Sequence, residues 1–396
     1  MGGRAFTRAF AIARGARLIG LLAAAFWALT ATAAETWVVA PTGAPRSLQE
    51  ALGLAKDGDT IELTPGDYTG GVLIENRRLT IRGMGKRPAV KGGAKPGTAK
   101  ALWTVRGGEV TIENIAFNGA RASDGEAAGV RQEGGKLLLR GCQFHDNEYG
   151  VFAAAVDGAE LRIENSEFGM APKVVGGLYH LLNVGRISKL SITGSRFQQG
   201  FEGHLIKSRA RESLIAYNFI HDGQRGGASH AIDLPAGGIA TVVGNVIGRG
   251  ADGQSAVVMT YGSEGRPWDK NTLRVAHNTF INYGWLPAWF LRVSSDKLPA
   301  PSEVVAINNL IVGTGVFSWG ASGLFEGNRH ATFGMLRDAE TYAFELAPGS
   351  MWRHSGADPR NVRGHDLSPQ AEFEWPTGVR LLPGGRDRWS PGAFQR

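Results

Sequence analysis

The sequence predicts an all-β solenoid, in which one strand-and-turn unit repeats along a single axis. Three observations predict it. Strand-like runs ending in Phe or Ile recur every 23 to 33 residues, at Phe117, Phe144, Phe168, Phe197, Ile220, Ile247, Phe280 and Ile311. No helical periodicity lies between these runs, only turns, and 57 of the 396 residues are glycine. Two residues before each terminal apolar residue stands a second column: Ile115, Cys142, Ser166, Ser195, Asn218, Asn245, Asn278 and Asn309. A repeat of this length without helices is the mark of coils that bury their apolar sides on one another.

The chain opens with Arg4, Arg8, Arg14 and Arg17, then an apolar run, LIGLLAAAFWALTATAA, ending in small residues before Glu35. That is the layout of an export signal over residues 1–34, and the run is short for a permanent membrane anchor. The mature chain, residues 35–396, is expected to be periplasmic or extracellular, without a membrane span and monomeric. The formal charge of +7 includes four signal arginines and no signal acid, which leaves +3 for the mature chain. So mild a balance makes no case for nucleic acid and still allows local attraction of an acidic polymer. A single cysteine, Cys142, excludes an internal disulfide.

Within the mature chain, residues 35–106 form the N-terminal cap and first coils, 107–311 the repeat coils, and 312–396 a last coil with an irregular cap. Thr36 to Val39 reads as a first strand. SLQEALGLAK is a short helix with Ser47 as N-cap and Glu50 completing a capping box. A helix there would shield the open end of the strand stack. DTIELTPGDY and RRLTIRGMG alternate apolar and polar residues up to a turn, as strands do. The four consecutive asparagines predict an internal ladder of side-chain amides satisfying backbone groups at a bend. Cys142 shares that column, which makes it a small buried residue and not a reactive thiol.

A further strand follows each unit. Five of them align as HLLNVG (180–185), HLIKSR (204–209), HAIDLP (230–235), AVVMTY (256–261) and WFLRVS (289–294). The third and fifth positions are apolar or small and point inward. The fourth faces out and reads Asn183, Lys207, Asp233, Met259, Arg292; the sixth reads Gly185, Arg209, Pro235, Tyr261, Ser294. Neighbouring strands lie about 4.8 Å apart, so Lys207 and Asp233 meet side by side. His180, His204 and His230 occupy the first position. Strict alternation turns them inward and a bulge at the strand start turns them out, so their direction stays open.

This patch brings together a cation, an acid and imidazoles, the groups needed to move a proton next to a carboxylate. The catalytic candidates are Lys207, His204, His230 and Asp233. Lys207 acts as base where neighbouring cations lower its pKa, and as charge stabiliser where Asp233 keeps it protonated; a histidine is then the base or acid. Arg209 and Arg292 suit forked binding of substrate carboxylates, Tyr261 is a further acid, and Trp289 and Trp268 suit stacking on sugar rings. Glu202 and His180 border the patch, and Glu264 and Arg266 sit on a loop beside it. Against these stand structural roles: an exposed Lys207–Asp233 pair worth about 0–1 kcal/mol, an inward histidine ladder, and Trp289 as core.

DTIELTPGDY, the strand-turn repeats, the asparagine column and the closing SPGAF resemble the right-handed parallel β-helix proteins of the pectate-lyase-like superfamily, over nearly the whole mature chain. The resemblance implies a single-stranded right-handed parallel β-helix with a short N-terminal capping helix. More narrowly, FEGHLIKSRARESLIAYNFI and IDLPAGGIATVVGNVI resemble chondroitinase-B-like and alginate-lyase-like polysaccharide lyases. That implies a catalytic lysine at Lys207, followed by Ser208. Those lyases also carry a calcium-binding acidic pair, of which only Glu202 is present, with Gly200 in the partner position. Their catalytic arginine on the next coil is replaced here by the stretch Asp233, Leu234, Pro235. The cofactor therefore stays open. The expected activity is β-elimination on a uronate polysaccharide. The alternatives are a hydrolase using Glu202 and Asp233, a C5-epimerase, or a non-catalytic exopolysaccharide-binding solenoid.

Overall fold

The computed structural model describes residues 34–93, 100–265, 267–300 and 302–396. The expected export signal, apart from Ala34, and Arg266 lie outside them. Among the described residues the strands fall into three parallel sheets of 12, 11 and 10 strands, and each coil visits the three in turn. One such coil runs from Glu212–Ala216 in the first sheet to Phe219–His221 in the second and Ile232–Leu234 in the third. The next strand, Ile239–Val243, returns to the first sheet beside Glu212–Ala216. The chain is a single-stranded right-handed parallel β-helix.

The repeat columns are what hold the coils in register. Phe117, Phe144, Phe168 and Phe197 stack inside the second sheet at centroid separations of 5.3, 4.6 and 4.5 Å. Ile220, Ile247, Phe280 and Ile311 continue the row, each fully buried. Offset-stacked rings add to the area they bury. Beside them runs the amide ladder. The backbone N–H of Asn218 donates to Asn245 Oδ1 at 2.9 Å, that of Asn245 to Asn278 Oδ1 at 3.0 Å, and that of Asn278 to Asn309 Oδ1 at 3.0 Å. Cys142 and Ser166 extend the same chain by donating N–H to the next hydroxyl, and Ser195 joins it to the amides by donating N–H to Asn218 Oδ1. The Cys142 thiol is pushed up to about 12 by burial, as an inert core group would be.

The helix Leu48–Leu54 has the expected capping box between Ser47 and Glu50. Its Ala51 is buried and Leu48 and Leu52 lean on the core, so it closes the N-terminal end. The C-terminal segment runs back along the flank of the solenoid. Leu336, Phe344, Phe373 and Phe394 pack on Phe219, Val246, Ile281 and Leu310, which face outward from the second sheet. Val362 and Leu367 pack on the edge of the first sheet, and Gly378 N–H donates to Gly194 O at 2.8 Å, many coils back. The apolar clusters of this tail thus form on two sheets, and the outward face of the third is where the site lies. No described helix is long and apolar enough to cross a membrane.

Candidate functional site

The third sheet breaks the in–out alternation at one place in each of five successive coils. Leu181 and Leu182, Leu205 and Ile206, Ala231 and Ile232, Val258 and Met259, and Phe290 and Leu291 are consecutive pairs with both members buried. The residue before each pair therefore faces outward. So does the one after it, and the sheet carries two outward columns. One runs Tyr149, His180, His204, His230, Val257, Trp289. The other, fixed by the strand register, runs Arg131, Phe152, Asn183, Lys207, Asp233, Thr260, Arg292, Trp319. The histidines accordingly join the Lys207–Asp233 patch.

At the centre the contacts are close. Asp233 Oδ2 is 3.4 Å from His204 Nε2 and 3.7 Å from Lys207 Nζ, and Asp233 Oδ1 accepts from Thr260 Oγ1. The Asp233 side chain is only 8% exposed and that of Lys207 19%. Burial alone would raise the Asp233 pKa, but the His204 and Thr260 hydrogen bonds with the His204 and Lys207 charges hold it at about 2. This is a sunken ion cluster, not the exposed pair of the structural reading. His230 has Ser229 Oγ 2.9 Å from Nδ1 and Ser255 Oγ 3.4 Å from Nε2. Burial, then the charge of His204, pushes its pKa down to about 4, which leaves it neutral at neutral pH. The His204 ring is stacked on His180 at 4.6 Å and set edge-on to His230 at 4.7 Å. Its Nδ1 is buried without a partner, so neither ring nitrogen of His204 is presented to a ligand.

His230, Asp233, Thr260 and Arg292 line a cleft of about 400 Å³, with Ser255, Val257, Ser263, Ser294 and Lys297. Arg292 is exposed, with its guanidinium 5.7 Å from the Trp289 ring centroid. Asp233 is the one carboxylate in that lining.

Several expected roles are corrected. Tyr261 does not face the cleft: it is 1% exposed, with its hydroxyl donating to Gly238 O. The strand register pairs Thr260 with Asp233 and Met259 with Ile232. The alignment of AVVMTY was thus one residue out, so Met259 points in and Thr260 out. Arg209 is held by a two-pronged bridge to Glu264, with Nε to Oε2 at 2.8 Å and Nη2 to Oε1 at 2.5 Å. Its fork is occupied by a carboxylate of this chain. Trp268 is committed too, donating Nε1–H to Arg209 O under the Arg186 guanidinium. Glu202 accepts from Gly176 N–H at 2.6 Å and secures the neighbouring loop. His180 accepts the His204 backbone N–H at 2.9 Å, and burial with the neighbouring His204 charge holds it at about 2. It positions His204. Trp289 is on the surface, 36% exposed.

Thr260, Ser255, Val257, Ser263 and Lys297 are the cleft residues that strand alignment missed, while Ser294 stands in its sixth column. Matching Gly262, which turns with φ of +76°, to the turn residues Gly185 and Pro235 would have exposed Thr260. Among the described residues no group of three or more His, Cys, Asp or Glu side chains comes together to hold a metal.

The right-handed parallel β-helix has counterparts of the same fold among solved structures. The crystal structure of pectate lyase Pel9A matches with a TM-score of 0.64 over 91% of this chain and 96% of that one, at 14% identity. At that identity the likeness is one of fold. The Dettilon tailspike protein gp208 aligns over 74% of this chain and 70% of that one, at 13% identity and a TM-score of 0.38. No family model matches the chain and no curated protein matches its sequence.

Proposed function

We propose that the protein is an exported, monomeric polysaccharide lyase that cleaves a uronic-acid polymer by β-elimination in the cleft at Asp233. The observation that carries this reading is the make-up of the cleft: cations at Arg292 and Lys297, one carboxylate at Asp233 already tied to Lys207 and His204 behind it, and a neutral imidazole at His230.

Elimination needs the substrate carboxylate neutralised so that the adjacent C–H can ionise. Arg292 has the exposed fork for that carboxylate, and Lys207, fixed beside Asp233, adds positive potential. His230 is neutral at neutral pH, with one ring nitrogen unprotonated, and serves as base. It takes the C5 proton, the C–H electron pair forms the C4–C5 double bond, and the C4–O bond breaks. The leaving glycosidic oxygen receives the proton from the His230 imidazolium. The Asp233 charge stabilises that imidazolium, while burial and the His204 charge oppose it and so favour return of the proton to the leaving oxygen. Hydrolysis by paired carboxylates is less well supported, because Glu202 is bound to a loop amide and Asp233 stands alone in the lining.

The test is incubation with a panel of uronate polymers while following the ultraviolet absorbance of an unsaturated product. A rise that His230→Ala abolishes is expected. New reducing ends without absorbance would replace the reading by hydrolysis, and altered uronate composition without cleavage by epimerisation.

A further inference from the structure

The charged centre is bracketed by aromatic–guanidinium pairs. On the N-terminal side Tyr149 and Phe152 meet edge to face at 5.6 Å, and the Arg131 guanidinium lies 4.5 Å from the Phe152 centroid. On the C-terminal side Trp289 and Trp319 stack at 5.7 Å and 28°, beside Arg292. Trp319 is 58% exposed, on the last strand of the sheet. Phe152 and Trp319 each stand three rungs from Asp233 along the same outward column, about 14 Å at the usual strand spacing. The cleft at Asp233 covers one side, and a hollow of about 340 Å³ lined by Phe152, Asn183, Arg209 and Glu264 covers the other.

A glycan in extended form advances by about one sugar per rung. Its rings offer apolar C–H faces to aromatic surfaces, and its carboxylates suit the exposed Arg292, while Arg131, bridged to Glu133 at 2.8 Å, backs the Phe152 ring. From this geometry we infer that the two aromatic–arginine pairs are sugar-binding platforms that grip an acidic glycan on both sides of the centre, so that the chain is held through its interior and cut within it. The inference rests on the polysaccharide reading above and adds its length requirement and its internal mode of cleavage. Neither end of the groove needs a chain terminus, since Trp319 is exposed on the last strand of the sheet and three further strands continue the sheet beyond Phe152.

The test is a binding titration read by intrinsic tryptophan fluorescence, using polygalacturonate, alginate and hyaluronan, their hexamers and trimers, and dextran as a neutral control. Trp319→Ala and Phe152→Leu are each expected to weaken hexamer and polymer binding about tenfold, the weight of one aromatic contact, and to leave trimer binding within about twofold. Both sites are at the surface or half-buried, and unchanged melting of the variants confirms that the fold is kept. With a polymer that is turned over, mixed oligomer sizes are expected from the earliest times. Hexamers binding no more tightly than trimers, equal binding of dextran, or release of a single product size would each overturn the inference. Length-dependent binding of an acidic polymer without any unsaturated product would keep the platforms and remove the lyase reading. Elimination with no length dependence would do the reverse.

Discussion

Asp233→Asn keeps the shape of the side chain and removes the charge that Lys207 and His204 face. At an effective dielectric of about 20, the unit charges of Asp233 and Lys207 at the observed 3.7 Å attract by roughly 4–5 kcal/mol, and burying the carboxylate cancels much of that. The surviving balance is read from the carboxylate itself. Its pKa of about 2, against an ordinary 3.8, means that folding favours the anion by about 2 kcal/mol. The variant is therefore expected to lose about 2 kcal/mol and, in a chain of this size, about 3 °C in Tm. Because the folded pKa is depressed, this contribution is fully present above about pH 4 and fades only as pH falls toward 2. Calorimetry at pH 7 and pH 5 should show the same offset, and 1 M salt should hardly shrink it, since buried pairs are weakly screened. Elimination should fall at least about 100-fold, as expected for loss of a group that stabilises the proton-transferring imidazole. A variant that melts with the wild type, or an offset abolished by salt, would show the pair to be an ordinary surface contact and refute the reasoning.

Asn245→Ala removes an amide that accepts from Asn218 and donates to Ile215 O and Asn278 Oδ1 in a fully buried site. A loss of about 2–4 kcal/mol is expected by chemical denaturation, and an unchanged midpoint would remove the ladder from the stability account. His221 and His277 are fully buried, and burial pushes both down to about 3. The unfolded chain binds their protons near pH 6.5 and the folded chain withholds them. Stability is thus complete above 6.5 and falls toward pH 3, by up to about 2.7 kcal/mol per pH unit. A Tm that is flat from pH 7 to 4.5 would contradict this. Glu264→Gln frees the Arg209 fork. Little stability should change at so exposed a bridge, but amide exchange across residues 262–265 and 267–270 should quicken. Unchanged exchange would mean that Trp268 alone fixes the loop.

What could be read in the sequence depended on how sharply each pattern was defined. The phenylalanine and asparagine columns were legible because a ring or an amide at a fixed offset has one good inward position, and their alignment survives loops of any length. The capping box at Ser47 was legible because it is purely local. The slip at residues 256–261 has the opposite cause. Val257, Val258, Met259 and Tyr261 are all apolar, so two frames one residue apart bury equally good side chains, and a single-residue shift exchanges the faces. The same degeneracy left the histidines undecided. Only the doubly buried pair that follows each of them, such as Leu205 and Ile206, turns them outward. The Arg209–Glu264 bridge was hidden because it joins residues 55 apart through a loop that folds back over earlier coils, where a column alignment has no entry. The strand frame thus fixed which residues share a rung, while the loops decided which of those groups stay free to meet a ligand. Arg209 is taken by the chain and Arg292 is left exposed, a difference invisible to composition and spacing alike, and it is what supports centring the proposed groove at Asp233.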